Sequence, residues 1–112
     1  MLQAQRAEIL RIHTSAADRY RGQPLHEAIV EKCRELKIAG ATVFSGLEGY
    51  GETAEMHRAR LVHGDGPLTI TVVDTVENIR RLIPAVAEML DTGLMATSPV
   101  QMIRVEKPAG TD

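Results

Sequence analysis

Hydrophobic positions along the chain first repeat with a period of two. Residues 7–14 (AEILRIHT) put Leu10 and Ile12 on one face and Ile9 and Arg11 on the other, which predicts a strand. After the polar stretch SAADRYRGQ the period changes. From Pro24 to Lys37, Leu25, Ala28, Ile29, Cys33 and Leu36 fall on one side of a helix. Pro24 suits its first turn and Gly40 is placed to help end it. Residues 41–47 (ATVFSGL) are β-branched and aromatic enough for a second strand. Residues 48–66 show no clean period and are predicted to be a long loop, with a β-ribbon possible over 57–63. Leu68 to Val73 (LTITVV) is a third strand. A helix then starts at Asp74, where two capping frames compete: Asp74 with Glu77, or Thr75 with Asn78. Ile79, Leu82, Ile83, Val86 and Leu90 form its apolar stripe. Pro84 predicts a kink or restart, and Gly93 an end. Residues 100–106 (VQMIRVE) make the last strand, and 107–112 are expected to form a flexible tail.

The predicted order is β-α-β-loop-β-α-β in one domain spanning 1–112, an α+β chain of the ferredoxin-like βαββαβ class. Two amphipathic helices then cover one face of a four-stranded antiparallel sheet. Alternation also leaves apolar groups on the other face, since Val73 shares it with Thr69 and Thr71. Such a face is expected to meet another subunit.

Composition narrows the function. The chain has 112 residues, too few to bury more than about two thirds of its unfolded surface, which favours assembly. Its three aromatic residues, Tyr20, Phe44 and Tyr50, require an aliphatic core. A formal charge of -2 argues against nucleic acid as a partner. Cys33 is the single cysteine, so no internal disulfide forms and a reducing compartment is expected. The first residues lack the apolar run of a signal peptide, and no segment approaches the roughly 18 apolar residues of a membrane span. These features predict a cytoplasmic protein.

Few residues suggest catalysis. Cys33 lies on the apolar stripe of the first helix and reads as core. His13, His26, His57 and His63 lack the i, i+4 or i, i+2 spacing of metal ligands, so neither a metal nor a catalytic set is predicted. His57 lies in the long loop, where contact with a ligand or partner is one reading. Gly46, Gly49 and Gly51 read either as a flexible stem or as a place where backbone amides meet an anion. Arg58, Arg60 and Arg104 are candidate phosphate partners or solvated surface groups. Arg19, Tyr20 and Arg21 read either as a binding surface or as a turn at Gly22.

The combination Asp18-Arg19-Tyr20, Gly22, Pro24-Leu25, Glu27-Ala28-Ile29, then Ile38-Ala39-Gly40-Ala41-Thr42-Val43 and Gly49-Tyr50-Gly51 resembles the DUF190 family, whose members are similar to PII signalling proteins. The resemblance runs from about Ile9 to Val105. It implies a homotrimer whose sheets face the threefold axis, with an adenine nucleotide (AMP, ADP, ATP or a cyclic nucleotide) in each cleft between subunits. By the same resemblance, 48–66 is a T-loop-like segment that reaches a transporter, ion channel or enzyme. Gly40, Ala41, Thr42 and Val43 match the strand lining the nucleotide cleft, and Gly49, Tyr50 and Gly51 match the loop base. Thr71 falls near a nucleotide-contacting glutamate of the third strand, and Arg104 matches the first of two phosphate-holding arginines. Glu52, Glu55, His57, Arg58 and Arg60 are the candidate loop residues for partner contact.

The chain departs from the PII pattern in two places. Glu106 replaces the second arginine, and Leu94 to Pro99, where PII proteins carry a glycine-rich loop with a lysine, has no lysine. Triphosphate binding of the PII kind loses two cations as a result. Tyr50 sits at the loop base, so modification of a tyrosine at the loop tip is not supported. The expected function is regulatory and non-enzymatic. A small trimeric enzyme using Glu48, Glu52, Glu55 or His57, or a metal-binding trimer, are the alternatives on the same fold.

Overall fold

The computed structural model describes residues 2–46, 48–50, 56–58 and 66–107, with the backbone alone for 48–50 and 56–58. Strand β1 (Leu2–Ser15) leads into a short hairpin of β2 (Arg19–Tyr20) and β3 (Gln23–Pro24), then helix α1 (Leu25–Glu35) and strand β4 (Thr42–Ser45). A ribbon of β5 (Glu48–Tyr50) and β6 (Met56–Arg58) follows, then β7 (Pro67–Asp74), helix α2 (Val76–Ala87) and β8 (Leu94–Val105). The main sheet has the order β4-β7-β1-β8, with every neighbouring pair antiparallel. With both helices over one face, this is the ferredoxin-like arrangement expected from the pattern.

The core follows from the alternation. Leu10, Ile12, Ile70 and Val72 point from the sheet towards Leu25, Ala28, Ile29, Cys33, Ile79, Leu82 and Val86 of the helices, and all are buried. Each large aliphatic side chain removed from water contributes about 1.5–3 kcal/mol, which is the main force holding helices to sheet. Burial pushes the Cys33 thiol up to about 11, as expected for a core cysteine.

The elements differ from expectation at their ends, for identifiable reasons. β1 and β8 are much longer than 7–14 and 100–106, because Leu2 pairs with Val105 and His13 with Leu94 in one unbroken ladder. The stretch Leu94 to Pro99 is therefore strand, not loop. Pro99 is tolerated there because β8 is an edge strand. Helix α1 starts after Pro24, not on it, and ends before Gly40. Lys37, at φ 60°, does the work foreseen for that glycine: Lys37 N–H donates to Arg34 O at 3.1 Å and Ile38 N–H to Cys33 O at 2.9 Å. Asp74 is the last residue of β7, so the Thr75 frame begins α2, with Asn78 N–H donating to Thr75 Oγ1 at 3.2 Å. Helix α2 continues through Pro84 and ends at Ala87, short of Gly93. Of the ribbon foreseen over 57–63, His57 and Arg58 pair in β6, and 59–63 lie outside the described residues. The tail lies outside them from residue 108.

Candidate functional site

The site starts where α1 ends. Beyond Lys37, Ile38 is buried and anchors the connection to the core, while Ala39 and Gly40 are exposed. A Cβ added at Gly40 would meet nothing within 4 Å, so this backbone faces open space. The chain then joins the sheet: Thr42 lies opposite Thr71 and Val43 opposite Ile70. Because Ile70 faces the core, Thr42 and Thr71 share the sheet face turned away from the helices. Five of the expected residues, Gly40, Ala41, Thr42, Val43 and Thr71, are thus brought together along one edge of the sheet.

Asp74, which spacing alone presents only as a capping candidate, ties this strip down. Its carboxylate is 4 % exposed and takes Ala39 N–H on Oδ2 at 2.8 Å. Oδ1 takes Thr75 N–H at 2.6 Å and Asn78 Nδ2 at 3.0 Å. Burial works to raise the Asp74 pKa, but the hydrogen bonds from Ala39, Thr75 and Asn78, joined by the positive charge of Arg104, outweigh it and hold the carboxyl below its ordinary value. Arg104 is exposed on β8 opposite Gln3, and its charge reaches the Asp74 end of the strip.

The long segment leaves from a pinned base. Gly46 N–H donates to Pro67 O at 2.7 Å and Ala16 N–H to Gly66 O at 2.8 Å. A Cβ on Gly46 would lie 2.9 Å from Pro67 Cγ, so that position requires glycine for close approach. Beyond it Glu48 pairs with Arg58, Gly49 with His57 and Tyr50 with Met56. Gly51, Glu52, Glu55 and Arg60 lie outside the described residues.

Other candidates resolve structurally. Tyr20 packs against the core, Arg21 sits over its ring at 5.1 Å, and Arg21 (φ 49°) and Gly22 (φ 84°) form the turn of the β2–β3 hairpin. Arg19 Nη2 donates to Gly22 O at 2.8 Å, closing that turn. His13 Nδ1 lies 3.3 Å from Thr69 Oγ1. Among the described residues no group of three or more His, Cys, Asp or Glu comes together as a metal site, and no helix is long and apolar enough to cross a membrane.

Solved structures share this arrangement. The structure of CPII bound to ADP and bicarbonate, from Thiomonas intermedia K12, superposes with a TM-score of 0.71 over 89% of this chain and 91% of that one, at 17% identity. CPII, a nitrogen regulatory PII-like protein, bound to ADP, AMP and bicarbonate superposes with a TM-score of 0.67, also at 17% identity, over 89% and 91% of the two chains. At this identity the likeness establishes the fold. In sequence, the UPF0166 protein of Aquifex aeolicus (strain VF5) is 30% identical over 98 residues, covering 86% of this chain and 92% of that protein. The family model DUF190, described as uncharacterized ACR, COG1993, matches residues 7–102. Fold, relatives and family model agree: the chain belongs to the DUF190 family, whose structural neighbours are PII-like proteins.

Proposed function

We propose that this chain is a PII-like signalling protein that binds an adenine nucleotide along the strip Gly40–Val43 and Thr71 and acts on a transporter, channel or enzyme through the segment 48–66. The observation that carries this reading is the strip itself: an open glycine backbone, a threonine pair on the exposed sheet face with Arg11 opposite Thr71 on that face, and the positive charge of Arg104 at one end. Such a surface offers amide and hydroxyl donors to a ribose or phosphate. The likeness to CPII, which is bound to ADP and bicarbonate, supports the ligand class. Gly49, Tyr50, Gly51, Glu52, Glu55, His57, Arg58 and Arg60 stay assigned to the loop, as ligand or partner contacts.

The working assembly is a homotrimer. Phe44 and Leu94, each 55% exposed, sit at opposite edges of the sheet face turned from the helices, in one cross-strand row with Thr69 and His13, and Ile9 and Val73 lie further along the same face. Leu2, Ile103 and Val105, 72%, 60% and 65% exposed, align on one face of the β1–β8 arm. Apolar groups so disposed favour burial between copies. Neighbouring copies then close the cleft over the strip.

Titration of the purified protein with ATP, ADP, AMP, cyclic AMP and bicarbonate, with and without magnesium, tests this function. Saturable binding of an adenine nucleotide at one site per chain is the expected result. Heat signals absent for every nucleotide at millimolar concentration would contradict it. With Arg104 alone in place of two arginines, and β8 strand where a lysine loop would stand, ADP or AMP is expected to bind more tightly than ATP.

A further inference from the structure

The β4–β7 ladder begins at Thr42, so the two residues before the strip's first sheet pair, Gly40 and Ala41, depend on what holds Ala39. Asp74 does so across 35 positions of sequence, through the 2.8 Å bond to Ala39 N–H. A cap for α2 does not explain this contact. Thr75 already caps that helix through Asn78 N–H, and Oδ1 of Asp74 alone takes the two further donors at the helix start. The second oxygen is directed at the α1–β4 connection. Because Oδ1 is held by two donors, the carboxylate cannot turn without losing bonds at the helix, and the direction of Oδ2 is set.

We propose that Asp74 is a positioning residue for the ligand cleft: it fixes the path on which the Ala39–Val43 backbone leaves α1, and so the presentation of Gly40 and Ala41 to a bound nucleotide. This rests on the nucleotide reading for its purpose, though the tether itself does not. The variant Asp74→Asn separates the two oxygens. The orientation that keeps an acceptor for Thr75 and Asn78 turns an NH2 group towards Ala39 N–H, where two donors oppose each other. Asn78→Ala is the complementary variant: it removes one of the two donors to Oδ1, while the Thr75 N–H bond still orients the carboxylate and its charge and the Ala39 contact remain.

Two readouts apply to each variant: native-state amide exchange of Ala39 to Val43 in ligand-free protein, and ADP affinity by titration. Loss of a hydrogen bond to a charged acceptor predicts exchange about tenfold or more faster in Asp74→Asn, ADP binding weakened by a similar factor, and neither effect in Asn78→Ala. Unchanged exchange in Asp74→Asn, or equal changes in both variants, would overturn the proposal. Faster exchange with undiminished ADP affinity would overturn the positioning role. If wild-type protein binds no ADP and Asp74→Asn still loosens Ala39 to Val43, the tether is supported and the nucleotide reading is what fails.

Discussion

Thr42 and Thr71 stand opposite each other on β4 and β7, on the sheet face that no helix covers. Two hydroxyls so placed have no packing duty towards the core. Replacing both with valine keeps their shape and removes their hydrogen bonding. The double variant Thr42→Val/Thr71→Val is expected to weaken ADP binding about thirtyfold, at roughly 1 kcal/mol for each lost bond, while its thermal midpoint stays close to that of the wild type. Calorimetric titration alongside a thermal melt measures both quantities.

Two glycines near the site should respond oppositely. An added Cβ at Gly40 meets open space, whereas one at Gly46 lies 2.9 Å from Pro67 Cγ. Gly40→Ala should therefore fold with nearly wild-type stability and lose affinity for a ligand that approaches its backbone. Gly46→Ala should lose about 1–3 kcal/mol of stability through overpacking. Urea midpoints of the two variants decide this, and equal midpoints would count against it.

Acid should weaken the fold partly through Asp74. Its pKa is held below the unfolded value, so the native state binds fewer protons there. That contribution is present above the unfolded value of roughly 3.9 and is lost as pH falls through the lower folded value. Asp74→Asn cannot titrate, so its urea midpoint should change less than the wild-type midpoint between pH 6 and pH 2.5. A steeper acid limb in the variant would be the contrary result. Cys33 acts at the other end. Its thiol is raised to about 11, so its contribution is present below the ordinary value of 9.0 and is lost as pH climbs through about 11.

The exposed sheet face bears on assembly. Leu94→Asp changes a residue already 55% exposed in the single chain, so the fold of one subunit should survive. Sedimentation should then show the proposed trimer in the wild type and smaller species in the variant. A variant that stays trimeric would remove this face from the interface.

The order of the main-sheet strands and the two helices was legible because the core-facing elements carry an apolar period, as in Leu10 and Ile12 or Ile79, Leu82 and Val86, whereas the short β2–β3 hairpin has none. Their ends were less so, because long-range pairing decides them. Residues 2–6 lack a core face of their own and become strand only through the partner β8. Lys37 adopts a left-handed conformation that favours glycine, which local propensity assigns to Gly40 instead. Of the candidate site, the Gly40–Val43 run was visible and Thr71 joined it through register. The link from Asp74 to Ala39 had no sequence signal beyond a capping residue, since a contact across 35 positions depends on how sheet and helices pack.

The most direct test of the central claim is a hydrogen-exchange map of the protein with and without ADP. Protection confined to residues 39–43, the neighbourhood of Thr71 and the 48–66 segment is the predicted result. Protection elsewhere on the chain, or none at saturating ADP, would contradict it.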